Sequence, residues 1–300
     1  MRALAAAVLL CAGACTPDFA APSDIRDLRI LAVQAEPPEA QFDDAGVDPV
    51  QVTILAMDPR TPAPLEVTAR LCAPTDSRRC DEGPPVVEVP DAGLTTTLSL
   101  PPGFVLAAQQ LDDLKGLGGI RVQYSFSVQN GDPGGPVYGS KVLLFSPRGA
   151  EPNHNPRVAG LDLTRDGVAS GHAAAGDTLE LSAGVEVGLR PLLADGSIEE
   201  YVVTDFRGNP VRVREQPRYS FFVTAGAEIG VDSADEPLDG GAPPDGLSRI
   251  TYRAGEGSLW VVVRDGRGGE SWARFGWKQA PPAVTQTSSP APARSLPGRR

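Results

Sequence analysis

The strongest constraint on this chain is a strict two-residue alternation of apolar and polar side chains, repeated over several short segments. Ile120, Val122, Tyr124, Phe126 and Val128 share one parity, while Arg121, Gln123, Ser125, Ser127 and Gln129 share the other. Leu179, Leu181, Ala183, Val185 and Val187 alternate against Thr178, Glu180, Ser182, Gly184 and Glu186. Leu65, Val67, Ala69 and Leu71 alternate against Glu66, Thr68, Arg70 and Cys72, a register that puts Cys72 on the solvent side. Successive side chains of a strand leave on opposite faces, so each pattern predicts a strand with one dry and one wet face. Sheets wetted on one side are antiparallel and pack in pairs, which makes the expected fold an all-β sandwich.

Composition extends the argument to the rest of the chain. Thirty-three glycines and 30 prolines in 300 residues favour many short strands and turns over long helices. Further strands are predicted over 27–35, 51–57, 86–89, 96–100, 138–146, 157–163, 199–204, 218–225, 248–253, 258–265 and 271–277, separated by turns such as Asp265-Gly266-Arg267-Gly268-Gly269. One short helix is expected from Phe104 to Lys115, stopped by Gly116, with Ala107, Leu111 and Leu114 on its buried face. The length suits two sandwiches of about 120 residues each. Segments 119–146 and 248–277 both read as closing hairpins. The expected organisation is therefore a sandwich over 26–148, a linker over 149–155, a second sandwich over 156–278 and a low-complexity, disordered tail over 279–300. Tyr124 is either a tyrosine corner or a plain core tyrosine.

Residues 1–15 read MRALAAAVLLCAGAC. Arg2 supplies a positive start and Ala3–Leu10 a short apolar run. Even extended to Ala14 the run is about 12 residues, or roughly 18 Å as a helix, against a hydrocarbon core of roughly 30 Å. It reads as a leader and not as a membrane span. Ala12-Gly13-Ala14-Cys15 resembles the lipobox of bacterial lipoproteins, in which the cysteine is acylated and becomes the new N-terminus after cleavage. On that resemblance residues 1–14 are a signal peptide, Cys15 is the lipidation site and residues 15–25 are a flexible tether. The same tripeptide also satisfies the A-x-A rule of ordinary signal peptidase, which is the competing reading. Thr16, where an aspartate would mark inner-membrane retention in enteric bacteria, favours the outer membrane. Cys72 and Cys80 then remain to form a disulfide across a short polar turn, in keeping with an oxidising envelope.

With the lipobox, the segments DLRILAVQAEPPEA and SLWVVVRDGRGGESW resemble envelope lipoproteins of the myxobacterial type that carry immunoglobulin-like or fibronectin-type modules. The resemblance implies location and architecture, and it brings no activity and no site residues.

The charged and aromatic residues limit what such a chain does. A net charge of −11 repels phosphate backbones and anionic lipid surfaces, so nucleic acid is not an expected partner and membrane attachment is expected through lipid. The two histidines, His154 and His172, read as solvated loop residues; Ser170 and His172 stand too close in sequence for a nucleophile and its base. Asp232, Asp235, Glu236 and Asp239 are candidate calcium ligands, although the spacing is not that of an EF-hand and a solvated acidic loop is the default. No cofactor is expected. Trp260, Trp272 and Trp277 could stack on sugars, but both faces of the Trp260 segment are apolar, which favours core tryptophans. The leading reading is a lipid-anchored envelope protein with a structural or partner-binding role and no catalysis. A carbohydrate- or peptidoglycan-binding module comes second and an envelope hydrolase third.

Overall fold

A computed structural model describes residues 20–60, 64–80, 87–112, 115–116, 118–131, 133–205, 207–237, 241, 243 and 245–281. The segment expected to be a leader, Cys15 and the residues beyond 281 lie outside these residues. The first part of the chain forms β1 (Asp24–Ile25), β2 (Arg29–Glu36), β3 (Glu39–Asp43), β4 (Gly46–Val47), β5 (Val50–Met57), β6 (Glu66–Cys72), β7 (Val87–Val89), β8 (Thr95–Leu98), helix α1 (Pro102–Leu111), β9 (Ile120–Gln129) and β10 (Val137–Pro147). The second part forms β11 (Val158–Arg165), β12 (Val168–Ala174), β13 (Thr178–Leu181), β14 (Glu186–Leu193), β15 (Glu200–Thr204), β16 (Pro210–Arg214), β17 (Arg218–Thr224), β18 (Ala227–Ile229), β19 (Ser233–Asp235), β20 (Ser248–Tyr252), β21 (Glu256–Arg264) and β22 (Glu270–Gln279). The protein is all-β.

Two apolar cores organise these strands. In the first sandwich the sheet β2-β5-β8 faces the sheet β4-β3-β10-β9-β6-β7. Between them lie Val52, Ile54, Leu71, Val122, Tyr124, Phe126, Leu143 and Phe145. In the second, β17-β21-β22-β13 faces β12-β11-β14-β20-β18, and Phe221, Val261, Phe275 and Trp277 fill the space. The ladders are antiparallel except for three parallel pairs, β3 with β10, β13 with β22 and β1 with β17. The alternation in β9 is realised as read, with Val122, Tyr124, Phe126 and Val128 all buried. Tyr124 is a core tyrosine, sealed on all sides with no hydrogen bond from its hydroxyl to the backbone.

Three local expectations are corrected. The alternation over 178–187 is broken at a turn where the N–H of Val185 bonds the carbonyl of Ser182 (3.2 Å) and Gly184 adopts φ +71°. The chain there leaves one sheet as β13 and enters the other as β14, and the crossing preserves parity, so the pattern hides it. The helix begins two residues early, because Pro102 fits the first turn, where no N–H is required. Its buried face is Val105 and Ala108 with Phe104 beside them, while Leu111 is 49% exposed; Leu114 lies outside the described residues. Asp112 ends the helix, paired with Arg121 (3.1 Å). The Cys72–Cys80 disulfide is present but buried, not on the solvent side. Alternation fails over Leu71-Cys72-Ala73, which are all buried, and the polar loop after them folds Cys80 back beneath it.

The two sandwiches do not hang from a free linker. Ile25, Leu31 and Trp260 form a separate apolar patch with Leu55, Met57, Phe222 and Trp272 packed against it. Strand β21 is therefore covered on both faces, as its sequence suggests: Leu259, Val261 and Val263 point into the second core, and Trp260 lies under residues of the first sandwich. β1 lies even further across the boundary, pairing Asp24 with Val223 and Ile25 with Thr224.

Closing so short a loop contributes about 2.5 kcal/mol in the chain-entropy model. Reduction of Cys72–Cys80 is expected to lower the unfolding free energy of the first sandwich by about that amount, read by denaturant titration with and without reductant. An unchanged midpoint would show that the loop is held by packing alone.

Candidate functional site

A cleft of about 980 Å³ opens where the two sandwiches meet the β15–β16 hairpin. One wall comes from the first sandwich and the following segment (Glu39, Gly119, Arg121, Leu144, Glu151), the other from the hairpin and from Arg267. Arg267 sits in the turn between β21 and β22, which Asp265 builds by accepting the N–H groups of Arg267 (2.6 Å) and Gly269 (2.9 Å). Gly269 is required there, since a Cβ would stand 2.0 Å from the Asp265 carboxylate. Asn153 donates to the same carboxylate (2.8 Å), which fixes the interdomain segment to this turn.

From that turn Arg267 reaches three parts of the molecule. Its guanidinium pairs with Glu199 (3.1 Å) and Glu215 (3.2 Å) at the base of the hairpin and with Glu39 (3.5 Å) in β3. It also stacks over the Tyr201 ring at 4.1 Å. A planar, permanently charged group with several donors suits this task better than an ammonium. Glu215 accepts the N–H of Glu199 (2.9 Å), and Glu39 accepts the N–H of Asn153 (3.0 Å). Burial pushes the carboxyls of Glu215 and Asp265 above the ordinary range. The hydrogen bonds and the Arg267 charge oppose that shift without cancelling it. A second polar seam runs beside the first: Glu270 pairs with Lys141 (3.1 Å) and Arg264 (2.6 Å), and its N–H donates to Asn155 (2.8 Å). Asn155 donates in turn to the carbonyl of Ala35 (2.7 Å).

The residues singled out in the sequence are scattered. His154 is largely exposed and lies 2.7 Å from Glu199, at the rim of the cleft. His172 lies on the edge strand β12 rather than in a loop, 3.5 Å from Asp162, and Ser170 on the same strand is exposed. The acidic segment is partly strand, because β19 pairs with β17. Asp235 stands 3.7 Å from Arg218, and Glu236 accepts the Tyr219 hydroxyl (3.0 Å) and faces Arg190 (3.7 Å). Asp232 is half-buried, Asp239 lies outside the described residues, and among the described residues no group of three or more histidine, cysteine or carboxylate side chains is placed to hold a metal ion. Trp260 and Trp277 are buried, and Trp272 is half-buried against the Ile25–Leu31–Trp260 patch.

Glu39, Glu199, Tyr201, Glu215 and Arg267 were not foreseen as a group. They are scattered over nearly 230 residues (Glu39 to Arg267), and the segment Asp265–Gly269 reads as an ordinary hairpin turn. A lone arginine set among glycines in an acidic chain was the available signal.

No protein-family model matches the chain, and no curated protein matches it. Among solved structures it is similar to three N-terminal domains of the highly immunogenic outer capsid protein Hoc of bacteriophage RB49, with 11% identity, 85% of this chain and 71% of that one covered, and a TM-score of 0.21. It is also similar to the D00-D0 domain of intimin (10% identity, 83% and 96% covered, TM-score 0.21). A third is dimeric latent PorU from Porphyromonas gingivalis (11% identity, 86% and 24% covered, TM-score 0.22).

Two substitutions separate attraction from desolvation at this joint. Arg267→Ala leaves three carboxylates facing one another and is expected to lower the unfolding free energy by about 3 kcal/mol. Glu215 has a raised carboxyl pKa in the fold, so its contribution is fully present below the unfolded pKa and is lost as pH rises through the folded one. Glu215→Gln is therefore expected to leave stability at neutral pH unchanged or higher, and to flatten the decline between the ordinary carboxylate range and neutrality. Denaturant titrations at several pH values check both outcomes.

Proposed function

We propose that this protein is a lipid-anchored component of the cell envelope, held by Cys15 in the outer membrane, whose two joined sandwiches serve a structural or partner-binding role without catalysis. The observation that carries the reading is how the charged groups of the interdomain cleft are used. Arg267, Glu39, Glu199, Glu215, Asp265 and Glu270 are engaged in holding two sandwiches and a hairpin together. That is the arrangement of a rigid platform. It leaves an open cleft beside the joint as the place for a partner. A glycan-binding role draws no support from Trp260 and Trp277, which are buried.

The anchor rests on the N-terminal sequence. No described helix is long and apolar enough to cross a membrane. Attachment through acyl chains accords with the acidity of the chain, and two or three chains hold far more stably than one. Cys15→Ser is expected to move the protein from the membrane fraction to the soluble envelope fraction and to abolish incorporation of labelled fatty acid. Retention of the variant in membranes would overturn the lipid anchor.

A further inference from the structure

Among the described residues, the β15–β16 hairpin is a two-stranded sheet that no third strand completes. Such ribbons are marginal on their own, and this one exposes Val202 (61%), Val203 (39%) and Val211 (41%). Its hydrogen-bond parity identifies the free groups. The N–H of Glu215 bonds the carbonyl of Glu199 (3.0 Å), and the N–H of Asp205 bonds that of Asn209 (2.9 Å). With Tyr201 opposite Val213 and Val203 opposite Val211, those two pairs also close the ladder. The backbone N–H and C=O groups of Glu200, Val202 and Thr204 therefore point away from β16. The opposite edge is poorer: its outward residues are Arg214, Arg212 and Pro210, and proline has no N–H to give.

The cleft runs along that better edge. Glu200, Tyr201, Val202 and Val203 all line it, and consecutive residues, which belong to both faces of a strand, meet one cleft only along the strand's margin. Across the cleft stand Leu144 and Arg121 of the first sandwich. The five residues of β15 span about 17 Å, enough to pair with a short extended segment. The field there is negative. Four carboxylates (Glu39, Glu151, Glu199, Glu200) line the cleft with three guanidiniums, and each guanidinium is already paired: Arg121 with Asp112, Arg212 with Glu200 and Arg267 with Glu39, Glu199 and Glu215.

We infer that β15 is a strand-addition site, and that its occupant is an extended polypeptide segment of a partner protein in which basic and apolar side chains alternate. The partner's backbone pairs with Glu200, Val202 and Thr204. Its apolar side chains lie on the face of Tyr201 and Val203, and its basic ones on the face of Glu200. This identifies the partner chemistry for the binding role proposed above and rests on that role. It is independent of the lipid anchor, whose test is fractionation.

The probe is a fluorescein-labelled decapeptide of alternating lysine and valine, titrated by anisotropy with the purified full-length protein in detergent. Binding is expected for this peptide and at least tenfold weaker binding for the alternating glutamate–valine peptide. N-methylation of every second residue of the lysine–valine peptide, which removes the pairing N–H groups without changing charge, is expected to weaken binding at least tenfold. Val202→Pro is expected to do the same from the protein side, whereas Val202→Thr, which keeps the backbone N–H, stays within threefold; circular dichroism confirms that both variants fold. No binding of the lysine–valine peptide, equal binding of its N-methylated form, or unchanged binding by Val202→Pro would each overturn the strand-addition site. Equal binding of the glutamate–valine peptide would overturn the assigned charge of the partner.

Discussion

Arg267 is the residue on which the arrangement of this molecule depends. It is presented by a five-residue turn and reaches the first sandwich through Glu39, the hairpin through Glu199, Glu215 and Tyr201, and the second sandwich through its own backbone. A largely buried cluster of this kind adds little net stability over an apolar contact of the same size, because each charge gives up its hydration. Its effect is on geometry. Only one placement of the hairpin and of β3 satisfies all of the carboxylates at once, and any slip leaves a charge unpaired in a poorly hydrated place.

The affinity between the sandwiches comes from a different source. Ile25, Leu31 and Trp260, with Phe222 and Trp272 beside them, remove apolar surface from water at the boundary. A buried tryptophan and two large aliphatic side chains stabilise a contact by several kcal/mol at about 25 cal/mol per Å². The apolar patch holds the sandwiches together, and the charged seams decide the angle at which they are held. The interdomain segment is part of this joint: Asn153 and Asn155 each bridge both sides.

Much of the architecture was legible in the sequence because period-two patterning is a local property. β6, β9 and the two closing hairpins can be read from neighbours in the chain. The errors have equally local causes. The run over 178–187 keeps its parity through a change of sheet, and the apolar triplet Leu71-Cys72-Ala73 interrupts an alternation that had put Cys72 outside. The cleft was not legible at all. Its members lie as far apart as Glu39 and Arg267, and each taken alone is an unremarkable surface charge. Only the pairing of strands brings them together, and no short-range pattern encodes that. Trp260 was rightly placed between two apolar layers, yet nothing in the local pattern signals that the second layer belongs to the other sandwich.

The parallel pairing of β1 with β17 has a consequence for biogenesis. Asp24 and Ile25 form the first described strand, yet their partners Val223 and Thr224 are made about 200 residues later. As the chain is made, N-terminus first, β1 has no sheet to join until most of the second sandwich has emerged. The first sandwich can assemble its own core in the meantime, but Leu31 stays uncovered until Trp260 arrives. The order of synthesis and the order of completion thus run in opposite senses. The first described strand is among the last to be locked in place, and a truncated product would carry an open apolar patch by which quality control can tell it from a finished molecule.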